Sequence, residues 1–123
     1  MKFKVVVGGN SNIEIAKVES DDFVFSDAQT ALDFIMTIKY ETGCSRILLN
    51  KNSLVPEFFD LSSRLAGDVL QKCINYKIKL AVVGDYSGYS SAALKAFIVE
   101  SNRGRDFFFV ETEGEALELL GKA

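Results

Sequence analysis

Residues 80–83 read Leu-Ala-Val-Val, with no polar side chain among them. A strand with one wet face alternates apolar and polar residues, so an uninterrupted apolar run needs cover on both faces. Buried parallel strands have this character. The segments around the run repeat one rhythm, in which short apolar stretches alternate with longer stretches of helical periodicity. That rhythm implies strands joined by helical, right-handed crossovers.

Residues 3–7 and 13–18 are two strands around the turn cluster Gly8-Gly9-Asn10-Ser11-Asn12, which predicts a hairpin. An acidic loop follows at 19–22, then a brief extended segment at 23–25. Ser26 opens the first helix, with Gln29 three residues on as the other half of a capping box. Ala28, Ala31, Leu32, Ile35 and Ile38 share its apolar face, and Gly43 ends it. Residues 46–49 form the third strand, and 50–56 a loop around Pro56, the single proline.

The second helix is predicted over 61–76, with Leu65, Ala66, Val69, Leu70, Cys73 and Tyr76 as its stripe. Gly67 in its middle costs up to about 1 kcal/mol against alanine, and a close helix–strand contact is the expected reason for it. After the apolar fourth strand and a loop at 84–89, Ser90 or Ser91 caps a third helix on Leu94, Phe97, Ile98 and Ser101. Asn102-Arg103-Gly104 ends that helix, and 106–110 is the fifth strand. Thr112 and Glu115 form another capping box, and Ala116, Leu117 and Leu120 dock the last helix. The order is β-β-α-β-α-β-α-β-α. It describes an α/β fold with a single mixed, mostly parallel sheet and helices, in one domain spanning 1–123.

Among 123 residues there is no histidine. Ser–His and Cys–His nucleophile pairs, a histidine base and a histidine metal ligand are therefore excluded. Cys44 and Cys73 stand far apart with no CxxC, so zinc is not expected and two reduced, partly buried thiols are. No metal or cofactor is expected. Fourteen basic against 17 acidic side chains give a net charge of −3, with no basic stretch, which disfavours nucleic-acid binding. No stretch reaches the roughly 18 apolar residues of a membrane span, and residues 1–9 read as a strand rather than a targeting segment. The expected compartment is the cytoplasm.

The element order resembles the STAS fold, named after sulfate transporters and anti-sigma factor antagonists. Residues 50–117 resemble, more specifically, an uncharacterised bacterial family, domain of unknown function 4180. Phe58-Phe59-Asp60-Leu61, Leu65-Ala66-Gly67 and Leu80-Ala81-Val82-Val83-Gly84-Asp85-Tyr86 carry that resemblance. Tyr89-Ser90-Ser91, Phe97-Ile98, Glu100-Ser101-Asn102-Arg103-Gly104 and Phe107-Phe108-Phe109-Val110 continue it. The family implies a small STAS-like domain and brings no activity with it. Anti-sigma antagonists carry a phosphorylatable serine after the third strand, in an Asp-Ser-Ser-Gly pattern. Here the matching place reads Asp60-Leu61-Ser62-Ser63-Arg64, with a leucine inserted and no glycine after the serines. The resemblance makes Ser62 and Ser63 candidate phospho-acceptors, with Arg64 as a partner for the phosphate. Asp60 or Ser62 is otherwise an N-cap.

Residues 84–91, Gly-Asp-Tyr-Ser-Gly-Tyr-Ser-Ser, lie between a strand end and a helix start, where open α/β sheets bind ligands. Gly84, Asp85, Tyr86, Tyr89, Ser90 and Ser91 are thus candidates for an anion or ligand loop, with Asp60 and Arg64. The loop has neither a P-loop lysine nor GxGxxG spacing, and an ordinary capped connection is the alternative. Arg103 and Arg105 flank Gly104 as an anion fork or as solvated charges at a helix end. Asp21, Asp22 and Asp27 match no calcium-loop spacing and read as a solvated acidic loop. Phe58 and Phe59 sit in a loop, where one caps the core and the other is either core or an exposed partner surface. Phe107–Phe109 read as a two-faced buried strand, and at a sheet edge one of these rings would need cover from a second subunit.

Two function classes follow. The first is a non-enzymatic regulatory or protein-interaction domain acting through 60–64 and 84–91, modulated by phosphorylation, a small anion or a nucleotide. Its expected partner is an unidentified protein or a second copy of the chain. The second is a small enzyme on a phosphorylated or nucleotide substrate, with Asp60 and Asp85 as acid and base. That class requires one concave pocket holding both carboxylates.

Overall fold

Strands β1 (Lys2–Val7) and β2 (Glu14–Glu19) pair antiparallel, from Lys2 opposite Glu19 to Val7 opposite Glu14. The computed structural model describes residues 2–8, 12–20 and 22–123, so the centre of the predicted turn, 9–11, and Asp21 lie outside the described residues. Helix α1 (Ala28–Thr42) leads to β3 (Arg46–Asn50), α2 (Leu65–Asn75) to β4 (Lys79–Val83), and α3 (Ala92–Arg103) to β5 (Phe107–Val110). Helix α4 (Glu113–Lys122) follows. The strands lie in the order β1-β2-β3-β4-β5, and every pair after the first is parallel.

Two cores explain the apolar strands. Ala16, Val18, Ile47, Leu49, Leu80, Val82 and Phe109 face a core shared with Phe34 and Ile38 of α1 and Val69 and Cys73 of α2. Ile15, Leu48, Ala81, Phe108 and Val110 face the other way, onto Ala116 and Leu120 of α4. Within β4, Leu80 and Val82 point to one core and Ala81 to the other. Each face is dry, so polar alternation disappears. The Arg46 guanidinium holds α4 in place, donating to Leu120 O (2.8 Å) and Ala123 O (2.6 Å) at the helix end.

Several local expectations shift. Helix α1 is capped one residue later than predicted. Asp27 accepts from Thr30 N (2.8 Å), and Thr30 Oγ1 accepts from Asp27 N (3.1 Å). Gln29 instead reaches Asp33. A carboxylate at the cap is held ionised by these amide bonds, so the Asp27 carboxyl lies below its usual range. Residues 23–25 are not a strand: Phe25 turns into the core, and Val24 N donates to Ser53 O (2.9 Å). Helix α2 starts at Leu65 because Arg64 takes a left-handed φ of 66°, which separates it from a single 3₁₀ turn at Leu61–Ser63. At α4 only half of the box forms, with Glu115 N donating to Thr112 Oγ1 while the Glu115 carboxylate accepts the Thr112 hydroxyl. Both cysteines are free and fully buried rather than partly so, and burial pushes the Cys73 thiol up to about 12.

Gly67 has no close strand contact. A Cβ built there meets nothing within 4 Å, and the position is exposed. Gly67→Ala should therefore raise stability by about 0.5–1 kcal/mol, read as a higher urea midpoint at unchanged slope. A lower midpoint would show that the glycine is needed.

Strand β5 is a sheet edge, yet Phe108 and Phe109 are both buried by the chain itself. The third ring, Phe107, is half-buried against the same core as Phe109. The side chain of Asn102 also occupies the outer rim of β5, accepting from Phe109 N (2.7 Å) and donating to Phe109 O (3.0 Å). At the other edge, Val5 and Val7 of β1 are exposed. No helix among the described residues is long and apolar enough to cross a membrane, and no cluster of metal-ligating side chains occurs among them.

Candidate functional site

Parallel strands end on one side of a sheet, so the loops after β3 and β4 meet there. Lys51 follows β3 directly. Its stem lies against Gly84, the first residue after β4, where an added Cβ would come within 2.5 Å of Lys51 Cβ. Gly84 is small because a lysine crosses it. The Lys51 ammonium donates to Asp85 O (2.8 Å). It stands 4.5 Å from the ring centre of Tyr89, 5.7 Å from that of Tyr86 and 5.9 Å from that of Phe59. Ring faces carry negative potential, so three rings hold the cation where one would hold it weakly.

The rings are anchored from beneath. Tyr86 donates its hydroxyl to Val82 O (2.7 Å), and burial pushes its phenol up, out of reach of titration near neutrality. Phe59 packs edge-on against Phe58 with centroids 5.1 Å apart, and stacks with Tyr89 at 5.5 Å and 28°. Phe58 continues to Phe25 and Phe109 in the core. A depression of about 270 Å³ opens beside the ammonium, lined among others by Phe23, Asn52, Phe59 and Tyr89. Gly84→Ala should push the lysine stem off its seat, lowering stability by about 1–3 kcal/mol and shifting the Tyr89 ring resonances. Unmoved Tyr89 signals in that variant would contradict the packing described here.

The predicted site residues divide. Lys51 joins Gly84, Asp85, Tyr86 and Tyr89 in one cluster. Phe58 and Phe59 are 1% and 7% exposed, so the partner-surface expectation for them is corrected. Pro56 starts a 3₁₀ turn over Pro56–Phe59, and the tight pitch turns both rings into the core. Of the two candidate caps, Ser91 caps α3, accepting from Leu94 N (3.1 Å), and Ser90 is exposed. Asp60 caps the turn at 61–63, accepting from Ser62 N (3.0 Å) and from the Ser62 hydroxyl (2.6 Å). Ser63 Oγ lies 2.6 Å from Glu57 O and 2.7 Å from Asp60 O, and accepts from Leu65 N. Both serines are exposed, with their hydroxyls in local bonds, and Arg64 is exposed beside them. Arg103 and Arg105 are exposed at the opposite, amino-terminal end of the sheet, where Arg105 O accepts from Lys79 of β4.

Asp85 is exposed and accepts from Ser87 N (2.9 Å). Bonds from Ser87, with the Lys51 charge nearby, hold its carboxyl below the usual range. It is thus ionised at neutral pH and poorly suited to act as an acid. Neither Asp60 nor Asp85 lines the depression, and both carboxylates face water. This depression is therefore not the shared concave pocket that an acid/base pair requires.

Lys51 and Phe23 are the residues that sequence reasoning passed over. A lysine in a polar loop carries no local signal, because what gives it a role is Gly84, just past the end of another strand.

The family described as Domain of unknown function (DUF4180) matches residues 10–120. The chain belongs to this family. The DUF4180 match takes in both sheet cores and the whole Lys51 cluster, and so reaches well before residue 50, where the resemblance in the sequence begins. No curated protein and no solved structure gives a significant match to this DUF4180 domain.

Proposed function

We propose that this DUF4180 domain is a non-catalytic, STAS-like recognition domain that works by binding rather than by turnover. The observation that carries the reading is the Lys51 ammonium held over Phe59, Tyr86 and Tyr89 at the carboxyl ends of β3 and β4. A fixed cation above aromatic faces, beside an open depression, is recognition chemistry. Both aspartates are exposed and neither lines the depression, which speaks against acid/base catalysis. The loops at 60–64 and 84–91 flank this cluster, and in this reading they present its occupancy to a protein partner.

The test is affinity capture from the native host with the wild-type domain and with a Lys51→Met/Tyr89→Ala double variant. Partners retained by the wild type and lost by a folded double variant are the expected result. Identical captured sets, or turnover of phosphorylated compounds that Asp85→Asn abolishes, would overturn it.

A further inference from the structure

We propose that the depression beside Lys51 binds a nucleoside monophosphate, an inference that rests on the recognition reading above and names its ligand. Four observations converge. First, Lys51 uses one of its three donor positions on Asp85 O, leaving two for an incoming anion without loss of its seat. Second, the cation is a lysine, a compact point charge suited to phosphate, and no arginine fork for a planar carboxylate lines the depression. Third, the depression offers aromatic surface to a planar ring. Phe23 lines it while 58% exposed, an unusual state for a phenylalanine, and Phe59 and Tyr89 line it as a pair already stacked on each other. A flat base laid against Phe23 removes that surface from water. Fourth, a second depression of about 460 Å³ shares Asn52 with the first and adds Glu19, Ser20 and Asn50. Amide, carboxylate and hydroxyl groups there match the hydroxyls of a ribose. Together the two spaces provide a ring surface, a sugar surface and two cations, of which Lys17 is paired with Glu113 (2.6 Å) and Lys51 is the one beside the rings.

Among the described residues two carboxylates lie close by, those of Asp85 and Glu19, and both work against an anion. Asp85 is turned to Ser87 and accepts that residue's amide, so it does not line the depression, and Glu19 lies 4.0 Å from the Lys17 ammonium. A single phosphate charge therefore suits the site better than a di- or triphosphate.

The experiment is a titration followed by nuclear magnetic resonance, using adenosine, guanosine, cytidine and uridine monophosphates. The matched nucleosides and ribose 5-phosphate serve as separated halves of the ligand. At least one monophosphate should shift signals of Phe23, Lys51 and Tyr89, and either half alone should bind about tenfold more weakly or worse. Lys51→Met, which keeps the stem over Gly84, should weaken binding about tenfold or more. Phe23→Ala, at an exposed position, should weaken it about five- to a hundredfold with the fold intact. The proposal fails if no monophosphate shifts these three residues at millimolar concentration, or if both variants bind as tightly as the wild type. If the probes fail while partner capture still depends on Lys51 and Tyr89, the recognition reading stands and the nucleotide does not. If monophosphates bind and capture is insensitive to the variants, the ligand stands and the protein-partner part of the reading falls.

Discussion

Phe58→Ala should cost about 3–5 kcal/mol, a large part of the roughly 5–15 kcal/mol that holds a domain of this size together. Phe58 is 1% exposed and is among the largest fully buried side chains. Its ring meets Phe25 at 6.3 Å, Phe59 at 5.1 Å and Phe109 at 6.3 Å, so it ties the segment after β3 to β5 and to the loop before α1. Truncation loses the transfer energy of the ring and leaves a cavity whose walls belong to three separate elements. Those walls cannot collapse together without moving the sheet. Phe58→Leu should recover much of the loss, since leucine refills part of the volume. Urea denaturation of the three proteins measures both effects. A loss below about 1 kcal/mol for the alanine variant would mean that the aromatic cluster is loosely packed and that Phe59 is not held from below. The site would then feel the same change. Without Phe58, the stacked pair of Phe59 and Tyr89 loses its support, so any ligand affinity at Lys51 should fall with stability.

The elements were legible because each depends on residues close in sequence. Leu80–Val83 needed only its own composition, and α2 and α4 only their stripes. Where a neighbour's geometry intervened, the reading slipped by a residue or a turn. Asp27 displaced Ser26 as a cap because its carboxylate met Thr30 N. Arg64 split the predicted second helix by taking a backbone conformation that nothing in its side chain announces. In a loop Phe58 and Phe59 are expected to point apart, whereas the 3₁₀ turn sends both inward. The loop at 84–91 was visible as a candidate from its place between strand and helix. Its partner Lys51 was not, since their relation is a packing contact across two strands. Gly84 was legible as a glycine near a site, and its reason was not.

Asn102 illustrates the same limit and carries the second large effect. Read locally, it is one of three residues that end α3. In the fold its amide takes the place that a sixth strand would take on β5, bonding both polar groups of Phe109. Phe109 is buried, so those groups have no ready access to water when the amide is removed. Asn102→Ala should therefore cost about 1–3 kcal/mol, more than the loss of an exposed bond. Asn102→Asp separates the two bonds. The introduced carboxylate still accepts from Phe109 N but meets Phe109 O with like charge, so the deficit should be larger at neutral pH than in mild acid. There the protonated form can donate again. The folded state then favours the protonated acid, and stability is lost as pH rises through that group's titration. Removing the amide also leaves a bare strand rim, which is a template for pairing with another chain. Light scattering across a concentration series should show Asn102→Ala associating where the wild type does not. A variant that keeps wild-type stability and shows no added association would mean that water serves the rim of β5 as well as the amide does.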